Sequence, residues 1–208
     1  MQKYVGDILN TISEVMKLPV MIILILFIMA VIFMIGWLIQ EYITEHRHMK
    51  VKLPQLMDQI RHGEDTIENC IIKSGLLRSQ KLALIEVTRH KGFTNIMRES
   101  LADSLIEDEQ AKYNRHLKVS NLLAKLGPIF GLLGTLIPLG PGIIALGQGD
   151  TYTLSASLLT AFDTTIAGLL VSAAAIVITT IRTSWYNHYM SVMETVMDCI
   201  LEMEKTNE

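Results

Sequence analysis

The sequence predicts an all-α integral membrane protein: three transmembrane helices with long helical extensions on one side of the membrane. Three observations predict it. Hydrophobic residues make up 50% of the 208 residues and mean hydropathy is +0.36, high for a soluble domain and low for a chain wholly in lipid. Three apolar stretches are long enough to cross a bilayer core of about 30 Å. Most of the remainder repeats its apolar residues at helical spacing.

The N-terminal segment 1–19 carries Val5, Ile8, Leu9, Ile12, Val15 and Met16 at that spacing. It reads as an amphipathic helix lying on the outer surface of the membrane. Val20–Ile39, VMIILILFIMAVIFMIGWLI, has twenty residues and no charge, and 20–40 is the first span. A signal peptide is the competing reading; the length of the run, the weakly basic residues before it and the lack of a small-residue cleavage site argue against it. An uncleaved anchor is expected.

Residues 41–121 read as helix almost throughout. Leu53, Leu56, Met57 and Ile60 share one face, then Leu82 and Ile85, then Ile96, Met97, Leu101, Leu105 and Ile106. Breaks are expected at Gly63 and at Lys91-Gly92. From Thr94 onward no Pro or Gly interrupts the pattern until Gly127, so this helix is expected to run straight into the second span, 122–146. Its apolar part is Leu126–Leu146, LGPIFGLLGTLIPLGPGIIAL. Membrane helices tolerate such Gly and Pro better than soluble ones. A short stretch, GQGDTYT, leads to the third span, 154–181, so spans two and three form a tight antiparallel hairpin. The C-terminal helix 182–208 continues span three with Tyr189, Met193, Val196, Met197, Ile200 and Leu201 on one stripe. That stripe reads as packing against the other cytoplasmic helix. Trp185 and Tyr186, beside Arg182, read as interface anchors.

Thirteen of the eighteen Lys and Arg residues fall in 41–121, and none in the 147–153 turn. The positive-inside rule then puts the N-terminus outside, 41–121 inside and the C-terminus inside. A net charge of −3 offers no argument for nucleic acid. Cys70 and Cys199 lack CxxC neighbours and read as reduced thiols. No nucleotide-binding, serine-hydrolase or zinc-protease motif is present. His46-Arg47-His48 does not place its histidines on one helix face, so no metal and no cofactor are expected, and no enzyme.

The chemistry lies in the hairpin. Gly127, Gly131 and Gly134 in span two begin with a GxxxG, which permits close backbone approach. In span three, Ala161, Thr165, Gly168, Ser172 and Thr179 fall within about 60° of one another on an ideal helix. That small, hydroxylated stripe fits either a close helix neighbour or a wet lumen. Asp163 lies about 160° from Thr165. A carboxylate in lipid costs about 3 kcal/mol, and Lys125 and Arg182 only flank the apolar runs at their cytoplasmic end, so a neutral or hydrogen-bonded carboxyl is expected.

LGPIFGLLGTL at 126–136 resembles the second-helix signature of the MotA/TolQ/ExbB proton-channel family, at Pro128, Gly131, Leu132, Leu133, Gly134 and Thr135. TTIAGLLVSAAA at 164–175 resembles its third-helix signature, at Thr165, Gly168, Leu169, Val171 and Ala175. The layout matches as well, and lies closer to the TolQ- and ExbB-sized branch. The resemblance implies a homo-pentamer in the inner membrane around a dimer of a single-span TolR-, ExbD- or MotB-like partner, converting ion flow into mechanical work. It implies an ion path past Thr135 and Thr165. With their neighbours Thr160, Asp163, Thr164 and Ser172 these form the candidate path, and Gly127, Gly131, Gly134 and Gly168 form the candidate packing residues. The TolQ/ExbB branch carries a Glu five residues before the third-helix Thr; here that place is Thr160, and Asp163 reads as a displaced stand-in. Pro138 and Pro141 are expected to kink the outer end of span two. A non-conducting scaffold of the same fold is the alternative, and the residues do not distinguish H⁺ from Na⁺.

Overall fold

The computed structural model describes residues 2–46, 52–62, 66–90 and 93–206, without the side chains of 2–10, 12–14, 45, 46, 62, 204 and 206. Gly63, Lys91-Gly92, Arg47 and His48, and the amphipathic stripe from Val5 to Ile12, lie outside what is described. Among the described residues every regular element is helical: α1 Gln2–Glu41, closed by a π-helical turn Tyr42–His46, α2 Leu53–His62, α3 Ile67–Lys73, α4 Arg78–Arg89, α5 Asn95–Gly147 and α6 Thr151–Thr206. α1, α5 and α6 each hold a stretch long and apolar enough to cross a membrane.

α1 runs from Gln2 unbroken through Pro19 and on into the first span. One missing N–H removes a single hydrogen bond, and the apolar run on its C-terminal side carries the helix on. α5 likewise runs through Pro128, Pro138 and Pro141, and α6 joins span three to the C-terminal helix without interruption. Between α3 and α4 the chain breaks at Ser74–Leu77, an interruption beyond those the periodicity predicts. Ser74 turns out of the helix, its N–H bonded to Cys70 and Ile71 carbonyls, and Gly75 follows.

The chain forms two compact units, 1–37 with 118–180 and 38–117 with 181–208. In the first, α1 buries Val20, Leu24, Val31 and Met34, one stripe at steps of four, seven and three. α5 and α6 pack as an antiparallel hairpin. The turn between them uses Gly149 at φ +80°, where a side chain would be strained. Asp150 then caps α6, its carboxylate accepting the Thr153 N–H at 3.0 Å.

In the second unit, Leu56, Ile60, Ile71, Leu84, Val87 and Ala102 of α2–α5 close around Val192, Met193, Val196, Met197 and Ile200 of α6. The methionine stripe is thus core, as its spacing predicts. Gln80 is fully buried and satisfied at both ends. Its amide donates to the Tyr189 carbonyl at 2.8 Å, and its oxygen accepts the Leu77 N–H at 3.3 Å. That pins α4 to α6.

Candidate functional site

The seam between α5 and α6 is built from glycines. A Cβ on Gly168 would stand 2.5 Å from the Gly127 carbonyl oxygen and 2.7 Å from Gly131 Cα; one on Gly134 would stand 2.6 Å from Thr164 Cβ. Gly142 comes nearly as close to Ser157, at 3.0 Å. Helices in lipid gain no hydrophobic energy by meeting, so close van der Waals approach has to hold them, and small residues allow it. The four glycines named for packing all lie in this seam.

Pro128 leaves a gap in α5. With no N–H at position 128, the Ala124 carbonyl loses its helical donor. The buried Ser172 hydroxyl supplies one from α6, donating to that carbonyl at 2.7 Å. An orphan carbonyl in a membrane interior is costly, and a neighbouring helix often satisfies it. Ser172 is therefore spoken for.

The seam sorts the remaining candidates by flank. On ideal helix geometry Thr135 and Thr165 each stand about 60° off the seam's centre, and handedness puts both on the same flank. Thr164, Thr160 and Asp163 stand on the other flank, about 40°, 80° and 140° off. α1 covers that second flank, through Phe27 packed edge-on to Phe130 with centroids 5.3 Å apart. Thr135 and Thr165 are half-buried, and their hydroxyls donate to their own helix, to the Leu132 carbonyl at 2.7 Å and the Ala161 carbonyl at 3.1 Å. Their oxygen lone pairs stay open as acceptors. Thr160 and Thr164 also donate to their own backbone. Asp163 is exposed and makes no hydrogen bond or ion pair with the described residues. Of the small stripe on α6, Ala161, Gly168 and Ser172 are buried, Thr165 stands at the edge, and the Thr179 hydroxyl is enclosed without a partner among the described residues.

A second polar cluster lies where α1 ends. Glu41 and Arg182 are both buried and paired, Arg182 Nε to Glu41 Oε2 at 3.0 Å. The Tyr186 hydroxyl donates to Glu41 Oε1 at 2.6 Å. Tyr186 is thus a buried member of this cluster rather than an interface anchor, and it stacks on Tyr113 with centroids 4.5 Å apart. Trp185 faces Tyr42, the first residue of the π turn. Sequence reading missed Glu41. The signal was there: an acid closing a long apolar run needs a cation at the same depth.

Three titrating groups outside the spans are shifted. The Thr153 hydroxyl, then its backbone N–H, hold the Asp150 carboxyl below its usual value. Burial pushes the Cys199 thiol up, which favours an inert thiol. The hydrogen bond to Glu99 pushes the exposed Lys205 ammonium up. No group of His, Cys, Asp and Glu among the described residues could hold a metal ion.

Comparison with known proteins places this geometry. The model of the MotA/TolQ/ExbB proton channel family matches residues 63–195. A curated relative, the biopolymer transport protein exbB1 of Vibrio cholerae serotype O1, is 28% identical over 115 residues, 53% of this chain and 50% of its own length. The chain thus spans about half the length of the curated relative it matches. No solved structure matches. The family is one of proton channels, not of enzymes, and its matched region contains the glycine-seamed hairpin with both threonines: the chain belongs to the MotA/TolQ/ExbB proton channel family.

Proposed function

We propose that this chain is the ion-conducting subunit of a rotary, stator-like motor in the inner membrane. Copies of it form a pentamer around a dimer of a single-span TolR-, ExbD- or MotB-like protein, and ion-motive force, carried by protons, drives one component against the other. The spans are 20–40, 122–146 and 154–181, with the N-terminus outside and the C-terminus in the cytoplasm. The relative's name points to transport of a biopolymer as the work done.

One arrangement carries the reading. On ideal helix geometry Thr135 and Thr165 fall on the same hairpin flank, opposite the one against which Phe27 of α1 packs, and their protons are committed to their own helices. What they offer a lumen is acceptor oxygen, suited to a hydronium, a bare cation or the protonated carboxyl of a partner helix. The glycine seam uses neither oxygen. Ser172, by contrast, serves the backbone. Asp163 faces a neighbouring copy, where a shared hydrogen bond keeps the carboxyl out of lipid.

The test is Thr135→Val with Thr165→Val, isosteric changes that remove the oxygens and keep the shape. Reconstituted with the partner in vesicles, the double variant is expected to assemble to the wild-type mass and to lose proton uptake driven by an imposed potential. Undiminished uptake refutes the threonine path. An assembled wild type that never conducts is the scaffold. Asp163→Asn, assayed the same way, is expected to abolish uptake with assembly intact, and normal uptake refutes any role for the acid.

A further inference from the structure

One lysine of α5 stands at a depth where lipid would not accept it. Phe130 of α5 packs on Phe27 of α1, and successive spans run in opposite directions. Lys125, five residues before Phe130, is therefore level with Ile32 and Phe33 of α1. The Ser172–Ala124 hydrogen bond puts it level with Ser172 of α6. Beyond that level the apolar run of α1 continues to Ile39 and that of α6 to Ile181, about 10 and 14 Å further at 1.5 Å per residue.

The two helices present opposite chemistry at this level. Ile32 and Phe33 are 59% and 71% exposed, a surface made for lipid. Lys125 is also exposed and, like Lys118, bonds to none of the described residues. The apolar runs of α1 and α6 set the boundary further out than the start of span two at 122, and a four-carbon stem is too short to carry an ammonium from Lys125 that far. Lys125 points about 140° away from Phe130, hence away from α1, and Lys118 shares its face within about 20°. That face lies on the same flank of the hairpin as Thr135.

We propose that this face of α5 lines a water-filled vestibule, entering the membrane from the side of residues 41–117 and reaching the level of Lys125. Copies of the chain enclose it, and each contributes two ammonium groups to a cationic collar at the inner mouth. Such a collar raises the energy of a cation approaching from that side, so it opposes backflow through the path. The inference deepens the channel reading and rests on it for the ring of copies, but water, not conduction, is what its test detects.

The test is thiol labelling of the full chain in inside-out membrane vesicles, with buried Cys70 and Cys199 replaced by Ala. Lys118→Cys, Lys125→Cys and Phe33→Cys are each reacted with a charged, membrane-impermeant thiol reagent. Because only the hydrated thiolate reacts, Lys125→Cys is expected to label as fast as Lys118→Cys and at least about 100-fold faster than Phe33→Cys. Lys125→Cys as slow as Phe33→Cys overturns the vestibule. Equal fast labelling of all three also overturns it, because the membrane boundary then lies at Lys125. A non-conducting ring with the expected pattern keeps the vestibule and refutes the channel.

Discussion

Replacing Ser172 by Ala removes one oxygen and almost no volume, and the structure says what is lost. The Ala124 carbonyl, without a helical donor because residue 128 is proline, loses the 2.7 Å bond from Ser172. Interhelical hydrogen bonds in membranes contribute about 0.6 kcal/mol on average and about 1.7 at most. Leaving a buried acceptor unsatisfied costs about 1–3 kcal/mol. A loss of about 1.5 kcal/mol, roughly tenfold in the folding equilibrium, is expected for a buried hydroxyl in a proline-broken helix. The decisive comparison is with Pro128→Ala. That change restores an N–H at 128, which reaches the Ala124 carbonyl along the helix itself. In the Pro128→Ala background, Ser172→Ala is then expected to cost under about 0.5 kcal/mol, giving a coupling of about 1 kcal/mol between the two positions. The assay is reversible unfolding in bicelles across all four combinations. Equal costs with Pro128 and with Pro128→Ala would refute the reasoning, since the hydroxyl would then not be standing in for the missing amide.

Other outcomes follow from the same packing. Gly168→Ala drives a methyl into backbone at 2.5 and 2.7 Å and is expected to destabilise the hairpin by about 3 kcal/mol or more. Gly36→Ala meets open space and is expected to be neutral or to stabilise by up to about 1 kcal/mol; thermal unfolding of the pair compares them directly. Glu41→Ala strands a buried guanidinium and is expected to cost about 3–5 kcal/mol, most of it recovered in Glu41→Leu with Arg182→Met; a double variant as unstable as the single refutes the pairing. Asp150 titrates below the usual carboxylate value of 3.8, so its capping contribution is full above that pH and lost as pH falls through the folded-state value. Wild-type stability below about pH 4 should fall more steeply than that of Asp150→Asn, followed by acid titration of unfolding; parallel curves would remove Asp150 from the cap.

Much of the fold was legible because lipid is an unforgiving solvent. Twenty uncharged residues can do little but span it, a seven-residue polar stretch between two spans can only turn, and helically spaced methionines after Arg182 need a helical partner. Glycine at 127, 131 and 134 announced close packing, and the threonines announced chemistry. The order of α1, α5 and α6 along the chain belongs to the sequence alone.

The tertiary structure decided which face of each helix meets which neighbour, and that sorted the candidates. Six residues were equal members of a path on paper. Packing put Thr135 and Thr165 on one flank, turned Thr164, Thr160 and Asp163 to the other, and assigned the Ser172 hydroxyl to a carbonyl that Pro128 had orphaned. It also joined Glu41 to Arg182, 141 residues apart, and set Lys125 level with the apolar face of α1. The physical reason is the same in each case. Periodicity along one helix fixes angles within that helix, but the angle between helices, and their depth against one another, is set by where backbones can touch and where polar groups find partners. Those are properties of pairs of helices, and no single stretch of sequence contains them.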